Sequence, residues 1–273
     1  MCAFFRQCRT GKINLMLLTP DLAATSIAIL SALPQEQHGL IELLQQPRKI
    51  AHASRDFWVG SLQGQTVVLA LSKIGKVAAA TTTAALIERF GVRRIVFTGV
   101  AGGLGQGIKV GDVVVATDFI QHDLDASPLF PRFEVPLYGK TRFHCDLTLS
   151  ALLFQASGEA LAHESLASHG FRAACVHQGL IASGDRFVSG ADESHALRAL
   201  MKNAGHDVLA VEMEGAAVAQ VCMDYGVAFA VMRTISDRAD DSAHVDFPHF
   251  VSATASRYAR EIIQRFFFVL LKI

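Results

Sequence analysis

The sequence predicts an α/β fold, a three-layer αβα sandwich with helices on both faces of a central sheet. About seven apolar, β-branched runs of strand length alternate with segments whose Leu and Ala spacing is helical, an order typical of this class. The chain has 273 residues, 51% hydrophobic and 18% charged, so it can bury one large core. No repeat or linker divides it, and we expect a single domain over residues 25–273, preceded by a poorly ordered extension over residues 1–24.

Four strands are predicted in the first half of the chain, over residues 26–33, 66–72, 94–98 and 112–120. The first ends at Pro34, which suits the first turn of a helix, so Glu36 lies in the first turn of a helix predicted to about residue 45. The second strand leads into the turn and long helix of SKIGKVAAATTTAALIERF, whose Gly75 is not part of a Walker phosphate loop because Ala70 replaces the required glycine. The third leads into a glycine-rich turn, 99–103, that lets the backbone approach a ligand closely.

The second half contains a long polar segment, 121–145, with three prolines. Segments of this length inside a compact domain are usually lids or interface elements, so we expect it to cover a site or to meet a neighbouring subunit. A helix over 147–168, a strand over 173–183 and a helix over 193–203 follow. Phe187 and Val188 follow the strand predicted over 173–183, so we expect them at the edge of the sheet where other strands end in charged residues.

The stretch 207–237 carries the strongest functional signal. It contains a buried strand, 208–211, a helix, 216–222, and a second strand, 227–232. Ionisable and polar residues follow both strands: Glu212, Glu214, Arg233, Ser236 and Asp237. Because ligands of open α/β sheets bind outside the carboxyl ends of the strands, we predict a binding site here. The structural alternative is a salt bridge between Glu214 and Arg233 that only ties two strand ends together.

Composition excludes several classes of function. The formal net charge is zero and no long run of Lys or Arg occurs, so we predict no nucleic acid partner and no membrane surface. The apolar run FFFVLL near the C-terminus is too short to span a bilayer, and the run INLMLL lacks the cleavage site of a signal peptide.

Histidine and cysteine usage is equally informative. The nearest approach to a zinc motif, His163-Glu164, fails because residue 167 is Ala, so we expect neither a metal nor another cofactor. The five cysteines are an odd number without a CxxC pair, which indicates free thiols in a reducing compartment and predicts a cytoplasmic protein.

Seven short segments occur in an order that resembles the nucleoside phosphorylase superfamily, and most of all the 5′-methylthioadenosine/S-adenosylhomocysteine nucleosidases. They are SALPQE, SKIGKVAAA, TGVAGGL, KVGDVVVA, ASGDRF, AVEMEG and RTISD, spread over roughly residues 26–265. The resemblance implies a central twisted mixed sheet, no cofactor, and a homodimer that releases adenine from 5′-thio-substituted adenosines. It leaves aminodeoxyfutalosine hydrolysis, purine nucleoside phosphorolysis and non-catalytic nucleoside binding as alternatives.

The same resemblance implies a role for each matching residue. Glu36 matches the base that activates water, Asp237 the acid that protonates the purine, and Glu214 the acid that binds the ribose. The other matches are Met213 against the ribose, Arg233 near the attacking water, Phe187 and Val188 in the adenine loop, Ser236 beside the catalytic Asp, and Ile74 and Phe247 around the 5′ substituent. Val100 departs from the pattern because many relatives carry Ser there, so this chain is expected to hold its water differently or to turn over more slowly.

The chemistry gives an independent reason for three carboxyl groups. Breaking a ribosyl C–N bond builds positive charge on the sugar and negative charge on the departing base, and the enzyme must stabilise both charges. An acid and a base on opposite sides of the sugar, as in inverting glycosidases, predict direct hydrolysis without a covalent intermediate. A phosphorylase would need cationic side chains around its phosphate, whereas the loop after the first strand carries Glu36 and no Arg.

Overall fold

Ten strands form one mixed sheet in the computed structural model, which describes residues 26–162, 174–240 and 243–272. The strands are β1 Ile27–Ser31, β2 Gln45–His52, β3 Arg55–Leu62, β4 Gln65–Leu71, β5 Arg94–Gly103, β6 Val113–Gln121, β7 Phe143–His144, β8 Val176–Ser183, β9 Val208–Glu212 and β10 Ala228–Asp237. The helices in these ranges are α1 Pro34–Ile41, α2 Lys76–Phe90, α3 Leu147–Leu161, α4 Ala191–Asn203, α5 Gly215–Tyr225, α6 Ala243–Phe250 and α7 Ser256–Leu270, and a π-helical turn, Val251–Ala255, joins the last two.

The sheet curls at one end so that five strands close on each other. The strand order is β2-β3-β4-β1-β5-β10-β6-β8-β9, and β9 then pairs back with the end of β5 at Gly102 and Gly103. β5 runs parallel to β1 and β10, while β6 is antiparallel to β10 and β9 is antiparallel to β5. The strand ends that carry the predicted site residues are therefore brought around a common hollow.

The two larger of three core clusters lie on opposite faces of the sheet, because successive side chains of a strand point to opposite sides, and the third packs beneath α4. In β1, Ala28 and Leu30 pack in the core beneath α2 and α5, whereas Ile27 and Ile29 pack in the core beneath α1, α3 and α7. The apolar FFFVLL segment belongs to α7, where Phe266 and Phe267 are buried in the second core. The predicted three-layer sandwich with a mixed sheet is confirmed.

The main element that the sequence did not predict is the hairpin of β2 and β3. Nearly all of β2 is exposed and it contains Pro47, so it lacks the alternation of apolar and polar residues that identifies a half-buried strand. The first helix was predicted to continue to residue 45, but it ends at Ile41 because the chain turns there into this hairpin. The glycine-rich segment predicted as a turn is instead the end of β5.

Some predictions fall outside the part of the chain that the structure describes. These are the N-terminal extension, residues 1–24, and the end of the helix predicted over 147–168. Within the described ranges, no helix is both long and apolar enough to cross a membrane.

Candidate active site

A cavity of about 470 Å³ opens where β1, β5, β9 and β10 end. Its volume falls in the range of small-molecule sites, and most of its lining is apolar with a few carboxyl groups. The lining residues are Ala32, Leu33, Glu36, Ile74, Val100, Ala101, Gly102, Phe187, Val211, Glu212, Met213, Glu214, Asp237, His244, Phe247 and Pro248. The three acids that the sequence singled out, far apart along the chain, therefore meet in one hollow.

Glu36 is held by backbone amides at the start of α1. Its carboxylate accepts hydrogen bonds from the N–H groups of Ala32 and Leu33, both at 2.9 Å, and from the N–H of Val100 on β5 at 3.1 Å. The residue is only 1% exposed. Burial raises its pKa above the ordinary glutamate value, while the nearby charge of Arg233 and the three N–H donors oppose that rise by favouring the carboxylate.

Asp237 is the last residue of β10 and is also 1% exposed. One carboxyl oxygen accepts a hydrogen bond from the Ser236 hydroxyl at 2.7 Å, and the other accepts one from the N–H of Ala239 at 2.8 Å. A Cβ on Gly102 would lie 3.0 Å from this carboxyl group, so the glycine allows β5 to pass close to the acid. Burial raises the pKa of Asp237, the hydrogen bonds from Ser236 and Ala239 partly oppose that rise, and the charges of Asp240 and Asp246 add to it.

The electrostatic surroundings of Glu36 and Asp237 therefore differ in sign. A cation, Arg233, is the main charge near Glu36, whereas two further carboxylates, Asp240 and Asp246, are the charges near Asp237. A nearby cation favours the ionised form of an acid and nearby anions favour the protonated form. Two acids whose surroundings differ in this way are suited to opposite roles, Glu36 to accept a proton and Asp237 to donate one.

Glu214 occupies the N-cap position of α5, and its side chain does not cap the helix but reaches the turn before α2. Its carboxyl oxygen accepts a hydrogen bond from the N–H of Gly75 at 2.8 Å. Burial, and then the charge of the neighbouring Glu212, raise the pKa of Glu214 to about 8. Burial and Glu212 therefore favour the protonated form of this acid, and hydrogen bonds donated by a ligand would favour the carboxylate.

Arg233 pairs with Glu212 and not with Glu214, so the structural alternative considered from the sequence is wrong in its partner. The guanidinium donates a hydrogen bond of 2.6 Å to Glu212, and both side chains are almost completely buried. Glu212 also accepts hydrogen bonds from the Ser183 hydroxyl and from the N–H groups of Glu214 and Gly215. These bonds fix the turn between β9 and α5 and hence the direction of the Glu214 side chain.

The Arg233 guanidinium also packs against an aromatic ring. Its guanidinium carbon lies 3.9 Å from the centroid of the Phe97 ring, a cation–π contact. Its remaining donors, Nε and Nη1, have no hydrogen-bond acceptor among the described residues. A Cβ on Gly99 would meet Nη1 at 2.6 Å and the Glu36 carboxylate at 3.1 Å, so the cation and the predicted base approach the same point of β5.

Apolar side chains form the walls of the cavity. The rings of Phe187 and Phe247 meet edge to face with centroids 5.3 Å apart, and Ile74 and Met213 line the cavity with them. Val188 lines a smaller adjoining cavity that it shares with Phe187 and Asp237. Arg233 and Ser236 contact lining residues without lining the cavity themselves.

Several lining residues were not predicted from the sequence. They include Leu33, Val211, His244 and Pro248. His244 and Pro248 belong to α6, and Phe247 was the only residue of this helix that a motif match indicated. Glu212 was recognised as an ionisable residue at a strand end, but its bond to Arg233 could not be read from the spacing.

The site contains no arrangement suited to a metal. Among the described residues, no group of three or more His, Cys, Asp or Glu side chains is placed to hold an ion. The carboxyl groups of Glu36, Glu212 and Asp237 instead accept hydrogen bonds from backbone amides and side-chain donors. The arrangement can exchange protons with a ligand and accept hydrogen bonds from its hydroxyl groups.

Comparison with known proteins agrees with this geometry. Residues 26–267 match the family model described as the phosphorylase superfamily. A 5′-methylthioadenosine/S-adenosylhomocysteine nucleosidase of Actinobacillus succinogenes is 36% identical over 238 residues, which is 87% of this chain and 96% of the relative. An aminodeoxyfutalosine nucleosidase of Helicobacter pylori is 35% identical over 235 residues, 86% of this chain and 95% of the relative.

Solved structures show the same likeness. The crystal structure of a 5′-methylthioadenosine/S-adenosylhomocysteine nucleosidase from Neisseria meningitidis, in complex with methylthio-immucillin-A, superposes with a TM-score of 0.77 at 35% identity, covering 89% of this chain and 99% of that one. The family predicted from the seven segments is thus confirmed: the chain belongs to the phosphorylase superfamily and, within it, to the 5′-methylthioadenosine/S-adenosylhomocysteine nucleosidases.

Proposed function

We propose that the protein hydrolyses the N-glycosidic bond of 5′-thio-substituted adenosines, 5′-methylthioadenosine and S-adenosylhomocysteine, and releases adenine and the 5′-thioribose. Relatives that match nearly the whole chain carry this activity in their names. The observation that carries the proposal is the pair of buried carboxyl groups, Glu36 and Asp237, which line one cavity in opposite electrostatic surroundings.

Glu36 acts as the general base. Three backbone N–H donors and the charge of Arg233 favour the ionised form of its carboxyl group. The carboxylate accepts a proton from the water that attacks C1′ of the ribose. Asp237 acts as the general acid on the other side of the bond and gives its proton to N7 of the purine, so that adenine leaves as a neutral molecule. The water oxygen bonds to C1′ as the C–N bond breaks. At the end of the reaction Glu36 has gained one proton and Asp237 has lost one.

Glu214 binds the ribose. Its carboxyl group has one hydrogen bond, from Gly75, and its remaining acceptor positions face the cavity in which the 2′ and 3′ hydroxyls would lie. As a carboxylate it accepts hydrogen bonds from both hydroxyls, which also offsets the positive charge that develops on the sugar. A deoxyriboside leaves this buried acceptor without a partner, so we expect it to be a poor substrate.

The apolar walls receive the two ends of the nucleoside. Phe187, with Val188 behind it, packs against adenine, Met213 against the ribose, and Ile74 and Phe247 around the 5′ substituent. A thioether is apolar and suits such walls. Ser236 supports Asp237 through the hydrogen bond between their side chains.

Charge favours water over phosphate as the nucleophile. Four carboxyl groups line the cavity, while no arginine or lysine does so among the residues that the structure describes. The buried Arg233 is paired with Glu212 at 2.6 Å and packs against the Phe97 ring, so its guanidinium is already engaged. A phosphate ion would thus meet like charges without a cationic clamp.

A substrate panel in phosphate-free buffer tests this function. Free base is followed by absorbance with methylthioadenosine, S-adenosylhomocysteine, aminodeoxyfutalosine, adenosine and inosine. We expect rapid release of adenine from the thio-substituted nucleosides and free thioribose as the second product. Activity only in the presence of phosphate, or a preference for the 6-oxo purine of inosine, would contradict the proposal.

Aminodeoxyfutalosine is the second candidate substrate. The Helicobacter pylori relative named for this activity matches the chain about as well as the thio-nucleosidase relatives do. The three acids handle the ribosyl bond and do not touch the 5′ group, so they cannot distinguish the two substrates. The ratio of kcat/KM for methylthioadenosine and aminodeoxyfutalosine in the same panel decides between them.

We further propose that the protein is a cytoplasmic homodimer. Support for the dimer comes from three leucines in and just after the segment between β6 and α3, Leu129, Leu137 and Leu147, which are strongly exposed and which a second copy of the chain would cover. The buried cysteines Cys145 and Cys222 are free thiols, which suits a reducing compartment. Multi-angle light scattering would show twice the mass of the chain.

A further inference from the structure

A lysine outside the acidic site joins two loops at the mouth of the cavity. The ammonium of Lys76, at the start of α2, lies 2.5 Å from a carboxyl oxygen of Asp123 and 3.6 Å from one of Asp185. Asp123 follows β6, and Asp185 follows β8. The side chain of Lys76 is 16% exposed, so the bridge is partly shielded from water.

Backbone hydrogen bonds lock the same three segments together. Asp185 accepts a hydrogen bond from the N–H of Lys76 at 2.8 Å, and Asp123 accepts one from the N–H of Asp185 at 2.8 Å. Each carboxylate therefore binds both the lysine bridge and the backbone of a neighbouring loop. Gly75 has a φ of 95°, and a Cβ there would lie 3.3 Å from the Asp185 carboxylate, so the approach of the two loops is tight.

The turn before α2 and the loop after β8 each carry a residue that lines the cavity. Ile74 lies two residues before Lys76, and Phe187 lies two residues after Asp185. Gly75, between Ile74 and Lys76, donates its N–H to Glu214. The lysine bridge thus fixes the distance between Ile74 and Phe187. It also fixes the position of the turn whose Gly75 holds Glu214.

We propose that Lys76 is a positioning residue: its bridge to Asp123 and Asp185 holds the turn of Ile74 against the loop of Phe187 and so sets the affinity for the nucleoside. This inference rests on the proposed function, because it takes Ile74 and Phe187 as walls that contact the substrate. Lys76 touches neither Glu36 nor Asp237, which lie on other elements, so we expect it to act on binding and not on the chemical step.

The charges at the bridge explain why a neutral residue cannot replace the lysine. Burial raises the pKa of Asp123, but the hydrogen bond from Lys76, the hydrogen bond from the N–H of Asp185 and the charge of Lys76 outweigh this effect and bring its pKa below the usual value. Without the ammonium, Asp123 and Asp185 would be two carboxylates held close together by backbone bonds. Like charges at this distance repel, and the two loops would separate.

Lys76→Met tests the proposal, because methionine keeps an unbranched apolar side chain and removes only the ammonium. We expect KM for methylthioadenosine to rise about three- to tenfold, with kcat changed less than about twofold. Lys76→Arg should restore most of the affinity, since a guanidinium can bridge two carboxylates. Lys49→Met is the matched control: Lys49 pairs with Asp56 at 2.7 Å on the β2–β3 hairpin, away from the cavity, and its loss should leave KM unchanged.

Asp123→Asn gives a second test that does not depend on the lysine variant folding well. Its side-chain oxygen can still accept the N–H of Asp185, so only the charge facing Lys76 is removed, and KM should again rise. Equal KM values for the wild type, Lys76→Met and Lys49→Met would overturn the proposal, as would a loss confined to kcat. A wild-type protein that releases no adenine would overturn the proposed function instead, so the two failures are distinguishable.

Discussion

Replacing Glu214 by Gln should stabilise the protein while it weakens activity. Glutamine keeps a side-chain oxygen that can accept the hydrogen bond from Gly75 at 2.8 Å, but it removes a buried carboxyl group that lies beside Glu212. Binding sites commonly contain groups that destabilise the fold, and their removal exposes that cost. Glu214 is well suited to measure it because it is 5% exposed and its pKa is raised to about 8.

The magnitude follows from the pKa. Between pH 4.5, the ordinary value for glutamate, and pH 8 the folded protein keeps a proton that the unfolded chain has released. The free energy of unfolding therefore falls as the pH rises through this window. The loss from this one group amounts to about 1 kcal/mol at pH 5 and about 3 kcal/mol at pH 7. Glu214→Gln should remove a pH-dependent loss of about 2 to 3 kcal/mol between these two pH values.

Urea denaturation of the wild type and the variant at pH 5 and pH 7 measures this difference. Comparing the two pH values cancels every effect of glutamine that does not depend on pH, such as the burial of its amide. Glu42→Gln, at the exposed C-terminal end of α1 where the carboxylate pairs with Arg260, controls for the loss of a carboxylate from the surface. The reasoning is refuted if Glu214→Gln changes the unfolding free energy equally at both pH values. The same variant should lose about 10- to 100-fold in kcat/KM, because a ribose acceptor has lost its charge.

Three further predictions concern the reaction itself. Glu36→Gln should lower kcat by about 10² to 10⁴-fold without loss of nucleoside binding, since glutamine cannot accept the proton of water; near-normal turnover would remove Glu36 from the base role. The pH profile of kcat/KM should be bell-shaped, rising as Glu36 and Glu214 lose their protons above the ordinary glutamate pKa and falling as Asp237 loses its proton above the ordinary aspartate pKa. In Asp237→Asn the residual activity should lack the alkaline fall, and a fall that persists would assign it to another group. Val100→Ser should raise kcat about two- to tenfold by placing a hydroxyl beside Glu36, whose carboxylate bonds the N–H of residue 100; unchanged or lower turnover would contradict this.

The fold could be predicted because its signals are local. Buried parallel strands such as β1 and β10 are short apolar runs, and the helices that follow them begin at recognisable residues such as Pro34. The hairpin of β2 and β3 was missed because its outer strand is exposed on both faces, so no apolar periodicity marks it. The closure of five strands through Gly102 could not be predicted either, since it depends on the twist of the whole sheet.

The site divides in the same way between local and non-local information. Strand-end positions identified Glu214, Arg233 and Asp237 as candidates, and the order of the motifs added Glu36 to the same predicted site. The pairing of Arg233 with Glu212 was not predictable, because β9 and β10 are not hydrogen-bonded neighbours and their ends meet only through the curled sheet. Sequence spacing specifies which acids reach the edge of the sheet, but not which of them a buried cation neutralises.

That choice of partner matters for the chemistry. Because Glu212 takes the guanidinium, Glu214 remains without a cation in hydrogen-bond contact and keeps its raised pKa, so it is free to receive the ribose hydroxyls. If Arg233 had paired with Glu214, the acceptor would be occupied and Glu212 would be the uncompensated charge. Glu212→Gln should therefore be more damaging to folding than Glu214→Gln, because it leaves Arg233 buried and unpaired at a cost of about 3 to 5 kcal/mol, which urea denaturation at pH 7 would reveal. An equal or greater stability of Glu212→Gln would show that the pair does not hold the turn before α5.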